Sequence, residues 1–224
     1  MANPKKKLTR KQMHHDPLLE KVTAVTDFAQ EHSKRISYIF GGAVVLALII
    51  WAVVSYRHNR NAESIDKLVT IEQVFYSGDY KEAIRRLEKY CTEYEGTTGG
   101  GIGTYYLATS YYNTDQFDFA KNNFEIYVND YADNELYTVV SMAGIASCLE
   151  GLNDYEGAIE QWGKVANQYP DFYLTPEYLL NQARCYRLIN QPEKAKSVYE
   201  KIAKDYPESS YARDAKIGMD ELNI

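Results

Sequence analysis

Histidine is nearly missing from this chain. The four present, His14, His15, His32 and His58, all fall in the first 58 residues. Everything after residue 58 therefore lacks the commonest general base and metal ligand. No zinc-type spacing of cysteine and histidine occurs, and no nucleophile elbow or paired-carboxylate motif. The three cysteines, Cys91, Cys148 and Cys185, are too few for a disulfide framework. Their spacing suits small buried side chains and leaves a Cys148–Cys185 bridge open. One glycine-rich run, Gly96 to Thr104, lacks the terminal Lys-Ser/Thr pair, having Gly103 where the lysine belongs, and lacks the preceding strand of a phosphate-cradling loop. It reads as a flexible link leading into a helix at Thr104. No catalytic residue, metal site, cofactor or small-molecule substrate is assigned, and the chain is read as a non-enzyme.

Charge is also missing where it is most often found. Ile36 to Tyr56 carries none in 21 residues, and 11 of these are Leu, Ile, Val or Phe. At 1.5 Å per residue this stretch spans about 31 Å, enough for a bilayer core. Its apolar side chains favour insertion by about 3 to 7 kcal/mol. Tyr38 at one end and Trp51 and Tyr56 at the other suit the membrane interfaces. The stretch exceeds a signal-peptide core of about 7–15 residues, no small-x-small cleavage pattern follows, and no cysteine stands at its end to take a lipid. It predicts an uncleaved signal anchor over 36–56. Eight basic residues precede it and Arg57, Arg60 and Lys67 follow. That asymmetry favours an N-terminus in the cytoplasm and the remainder on the far side of the membrane, in a single-pass protein.

The segment before the anchor divides in two. Residues 1–15 are basic and polar, a disordered leader suited to anionic headgroups. Residues 16–35 predict an amphipathic cytoplasmic helix, capped by Asp16 with Pro17 at its first position. Leu18, Leu19, Val22, Val25 and Phe28 form its apolar side, which suits the inner leaflet or a membrane partner. The first 35 residues hold eight basic and four acidic groups. Since the net charge of the whole chain is −6, the rest carries −10. A domain so acidic does not bind nucleic acid by phosphate neutralisation.

Beyond the anchor the pattern is periodic. Ala83, Ala120, Ala158 and Ala195 recur every 37 or 38 residues, each followed four residues later by Leu87, Phe124, Trp162 or Tyr199. Ala108, Ala146 and Ala183 stand twelve residues before the last three. Turn residues precede each unit at Gly78-Asp79, Asp115-Gln116, Asn153-Asp154 and Asn190-Gln191, and Tyr169-Pro170 and Tyr206-Pro207 close the last two. Small-large pairs at this period mean stacked helical hairpins. The predicted class is all-α: an N-terminal transmembrane helix, then over 57–224 a solenoid of about four hairpins with a capping helix from Ser210. Unit one is degenerate, with Ile71 in the small-residue position, and Ala132 replaces the closing proline of unit two.

These residues resemble the tetratricopeptide-repeat family over roughly 62–224. In that family the first helices line a concave groove. The resemblance implies a groove built here from Phe75, Tyr76, Tyr105, Thr109, Tyr112, Asn113, Ser147, Glu150, Arg184 and Arg187, rich in tyrosine and arginine anchors for peptides. The family's carboxylate clamp is not matched, since its places hold Val69, Glu72, Tyr106 and Thr109. With its leader and anchor, the chain is similar to bacterial single-pass repeat proteins of the ancillary translocon-subunit type. That likeness implies protein or peptide partners, among them the protein-export channel and periplasmic chaperones. A cofactor of envelope assembly that regulates a cell-wall or outer-membrane enzyme, and a cytosol-facing precursor receptor, remain as alternatives.

Overall fold

The computed structural model describes residues 17–222, with side chains placed from Glu20 onward. The basic leader 1–15 and the Asp16 cap lie outside the described residues. The chain divides into two units, 1–56 and 57–224.

In the first unit, α1 covers Pro17–Glu31. Val22, Val25 and Phe28, on its apolar side, are each at least 60% exposed. A one-residue break at His32 separates it from α2, Ser33–Tyr76, which runs through the boundary between the units. α2 is long and apolar enough to cross a membrane, and none of its most apolar window is buried. A core helix of a soluble domain would bury that window; this one does not.

The second unit contains α3 (Tyr80–Glu93), α4 (Thr98–Tyr112), α5 (Phe117–Ile126), α6 (Glu135–Gly151), α7 (Tyr155–Gln168), α8 (Thr175–Leu188), α9 (Pro192–Asp205) and α10 (Ser210–Glu221). Consecutive helices pack as neighbours. Four hairpins result, the first formed by the end of α2 with α3, and α10 caps the last. All seven repeat alanines are fully buried, and Leu87, Phe124, Trp162 and Tyr199 are at most 4% exposed. Each turn inside a hairpin passes through one left-handed residue: Gly78, Asp115, Asn153 and Asn190, with φ of +83°, +59°, +62° and +56°. Glycine, asparagine and aspartate tolerate that conformation best, which explains the composition of the four turns. Asp79 and Asp154 then cap the following helices by accepting from the amides of Glu82 and Gly157.

Inter-repeat junctions depart from the pattern where the sequence does. α5 ends in a π-turn, Tyr127–Tyr131, followed by Ala132 at φ +27° in place of proline. α10 behaves as a cap: Ala215 is buried and Leu222 packs on the last core cluster, while Arg213, Asp214 and Asp220 face outward.

The glycine-rich run is not a link. Thr97 caps α4 by accepting from the Gly100 amide at 3.0 Å, so the helix starts at Thr98, six residues before the expected Thr104. Gly99, Gly100, Gly101 and Gly103 are buried inside that helix. Helical glycine costs about 1 kcal/mol relative to alanine, and here the rings of Tyr90 and Tyr131 occupy the space that side chains would fill. A Cβ on Gly101 or Gly103 would come within 2.7 Å of those rings. Only the flanking Gly96 is a turn residue, left-handed at φ +72°.

The cysteines are free. Burial pushes the Cys148 and Cys185 thiols up to about 12 and that of Cys91 up to about 11. All three stay protonated at neutral pH, which makes them packing residues rather than nucleophiles.

Gly100→Ala tests the close approach. Helix propensity alone favours alanine by about 1 kcal/mol. The new Cβ would, however, stand 2.1 Å from the carbonyl oxygen of Tyr94, which is backbone and cannot swing away. The expected outcome is a net loss of about 1–3 kcal/mol, read as a lower urea midpoint by circular dichroism of the detergent-solubilised chain.

Candidate functional site: the concave face

The first helices α4, α6 and α8 present successive turns to one side of the repeat domain. Tyr105, Thr109, Tyr112 and Ser147 come together there and line a cavity of about 230 Å³ with Trp162, Glu177, Tyr178 and Asn181. Pockets for drug-sized ligands run to about 300–1,000 Å³, so this one has room for a single side chain rather than a whole ligand. Its walls are aromatic: Trp162 and Tyr178 stack at 5.5 Å, and Tyr105 lies 6.1 Å from Phe124. The Thr109 and Ser147 hydroxyls donate to carbonyls of their own helices and are left as acceptors. Glu177 supplies one carboxylate, which accepts from the Tyr211 hydroxyl of α10 at 2.7 Å.

Tyr178 is 4% exposed, and its hydroxyl is one of three buried side-chain polar atoms with no partner among the described residues. An unmet buried hydroxyl costs about 1–3 kcal/mol. Burial also raises its pKa, so the group remains a potential donor.

The other expected groove residues are placed differently. Arg184 and Arg187 line a separate cleft of about 250 Å³ with Tyr199, Asp214 and Glu221. Arg187 pairs with Glu221 at 3.0 Å and so ties α8 to the cap. Glu150 is a structural pin. It accepts from the Trp162 indole at 2.7 Å and from Arg184 at 2.6 Å, which joins α6, α7 and α8. Phe75 and Tyr76 belong to an aromatic cluster with Tyr80 and Tyr106; Tyr76 is 71% exposed and its hydroxyl meets that of Tyr106 at 2.9 Å. Asn113 lies outside the cavity, its amide donating to the Thr109 carbonyl at the end of α4.

Sequence reasoning missed Glu177, Tyr178, Asn181 and Trp162. The first and third had a readable signal. Counted from the repeat alanines, the expected residues occupy positions from −3 to +5; Asn181, at −2, falls inside that range, and one helical turn further back is Glu177, at −6. Trp162, which the sequence assigns to packing, also lines this cavity. Among the described residues no group of three or more histidine, cysteine, aspartate or glutamate side chains could hold a metal ion. The arrangement can bind, by stacking and hydrogen bonding, and offers no activated nucleophile or base.

Residues 70–224 match the family model YfiO, described as an outer membrane lipoprotein. Two crystal structures of a kinesin light chain from Podosopora anserina, described as having nearly identical TPR-like repeats, are similar in fold. One is 13% identical, with a TM-score of 0.59, covering 72% of this chain and 86% of that one. The other, of a point variant of the same protein, is 14% identical, with the same TM-score, covering 72% and 85%. No curated protein matches the sequence. At these identities the structures establish the tetratricopeptide-like fold and nothing further.

Replacing Glu150 with leucine should separate pin from groove. The variant leaves the buried Trp162 indole N–H unpaired, for an expected loss of about 1–3 kcal/mol, with a shift in tryptophan emission as the ring loosens. Denaturant unfolding followed by fluorescence measures both. An unchanged midpoint would mean that the Glu150 contacts are ornamental.

Proposed function

The chain belongs to the YfiO family of outer membrane lipoproteins, and on that premise we propose that it is a non-catalytic scaffold of the cell envelope. In this reading residues 36–56 anchor it in the inner membrane, the repeat domain lies outside the cytoplasm, and the concave face holds a segment of a protein partner during envelope assembly. The observation that carries the binding role is the Tyr178 cavity: a concave, aromatic, side-chain-sized space with an unmet buried hydroxyl in its wall. Partner side chains supply what such a wall lacks, because an anchor residue gains both apolar area and a hydrogen bond.

The family match supports assembly at the outer membrane over the regulation of a single enzyme. It begins at residue 70 and so leaves the anchor out. Residues 1–90 contain no cysteine, and the anchoring proposed here is by the apolar helix. That same apolar helix favours a second reading, in which the scaffold serves the protein-export channel and its chaperones at the inner membrane.

Two experiments test the proposal. Protease added to intact cells, to spheroplasts and to lysed membranes should digest the repeat domain in spheroplasts; protection until lysis would place the domain in the cytosol. In the groove, Tyr178→Phe removes an unsatisfied hydroxyl. It is expected to stabilise the free protein by about 1–3 kcal/mol while weakening crosslinking of partners to a photoreactive residue at Ser147. Tyr112→Ala should weaken the same crosslinks without the gain in stability. Crosslinks that survive both changes would remove the cavity from the function.

A further inference from the structure

A second concavity lies on the first hairpin, away from the groove. Lys67 of α2 and Arg85, Arg86 and Lys89 of α3 line a cleft of about 310 Å³ together with Glu93 and Tyr94. Four cations thus meet one carboxylate. Just outside, Glu82 accepts from Nε and Nη2 of Arg85 at 2.7 and 2.6 Å and from Nε of Arg86 at 2.6 Å. These guanidiniums hold its carboxyl down to about 2, so the trio keeps a net charge of +1 at neutral pH. Lys67 and Lys89 form no ion pair among the described residues. Arg60 stands 5.3 Å over the Tyr94 ring and donates to the Glu93 carbonyl, which adds a fifth cation at the same place.

This reverses the sign of the rest of the domain. Residues 57–94 hold seven basic and seven acidic groups, whereas residues 95–224 hold ten and twenty. A larger cavity between α3, α4 and α5, of about 580 Å³, shows the contrast: its charged lining residues are Glu88, Glu95 and Asp130. The basic cleft is therefore a feature of the hairpin that directly follows the apolar stretch.

We propose that this cleft holds the phosphate of an anionic phospholipid headgroup, supplied by the membrane in which residues 36–56 are anchored. The proposal rests on that anchoring. Glu82 occupies the Nε side of both guanidiniums, so their remaining Nη N–H groups are what can donate to phosphate oxygens, and Lys67 and Lys89 add mobile point charges. A lipid is favoured over a soluble phosphate because of the tether. Lys67 follows Tyr56 by eleven residues, at most about 40 Å of chain even fully extended, so headgroups are presented at high effective concentration. The occupied cleft would fasten the first hairpin to the bilayer surface independently of the anchor helix, leaving the acidic repeats free for partners.

The test uses the full chain in nanodiscs of phosphatidylcholine alone and of phosphatidylcholine mixed with phosphatidylglycerol. Acetylation rates of Lys67 and Lys89 are read by mass spectrometry, with the distant Lys164 and Lys201 as references. Occupancy by lipid predicts about fivefold slower acetylation of Lys67 and Lys89 in the anionic discs, the gain expected for a basic residue at an anionic surface, with Lys164 and Lys201 unchanged. Equal rates in the two discs, or slowing shared by the reference lysines, overturns the proposal. Equivalent slowing by inorganic phosphate in the neutral discs assigns the cleft to a soluble anion and overturns the lipid. A chain that washes off the discs defeats the anchoring itself. In that case flotation of the chain with phosphatidylglycerol vesicles decides the cleft: loss of flotation in the K67E/K89E variant upholds it, and unchanged flotation overturns it.

Discussion

The repeat domain depends on how closely two helices can approach. Ala108 and Ala120, like Ala146 and Ala158, are fully buried on consecutive helices. They put nothing larger than a methyl between the backbones, and a bulky neighbour one turn on fills the remaining groove. That closeness is possible only if the chain reverses within a few residues. The left-handed Gly78, Asp115, Asn153 and Asn190 make the reversal at the same point in every unit. Turn and alanine form one constraint: a β-branched residue in the turn or a leucine in the seam would splay the hairpin, and the groove on its first helices would lose its shape. The glycine-rich helix α4 takes the same constraint to its limit, since Gly101 and Gly103 give up the β-carbon altogether so that tyrosine rings can lie on the backbone.

Tyrosine is the second material of the fold. Of 21 tyrosines, several bridge repeats through their hydroxyls. Tyr111 donates to Glu88, Tyr206 to the Pro170 carbonyl and Tyr211 to Glu177. Each joins elements at least 23 residues apart while burying an aromatic ring. In a solenoid, stability is a sum of repeat terms and nearest-neighbour terms, and these bonds belong to the latter. Against that background the unmet hydroxyl of Tyr178 stands out. Most buried tyrosines of the domain have found a partner, and this one faces the concave side without one.

Much of the fold was legible because periodicity is a property of the sequence itself. The small-large alternation located the hairpins, the turn residues located their tips, and an uncharged apolar stretch located the first long helix. The glycine run was misread for a physical reason. Glycine's low helix propensity is a local fact, while the close approach of Tyr90 and Tyr131 that overrides it is tertiary and leaves no local trace. The site was half legible. Register placed Tyr105, Thr109, Tyr112 and Ser147 on one face, and these four line one cavity. It could not tell that Glu150, Arg184 and Arg187 would satisfy one another's neighbours within the chain, because a charged side chain at a groove position looks the same whether its partner is internal or external.

That distinction decides which surfaces are open for binding. Arg184 and Arg187 are cations in a domain of net negative charge, and each already has a carboxylate at 2.6 or 3.0 Å. An incoming acidic segment would have to displace those carboxylates and leave them unpaired, which offsets much of what it gains. The Tyr178 cavity has no such competitor, and neither do Lys67 and Lys89. Binding free energy is largest where the free protein holds an unmet group, since filling it removes a cost as well as adding a contact. That criterion singles out the Tyr178 cavity, and the exposed, hydrated Lys67 and Lys89 mark a second place of opposite character. One is an aromatic, side-chain-sized cavity among acidic repeats. The other is a basic cleft on the hairpin next in sequence to the apolar stretch.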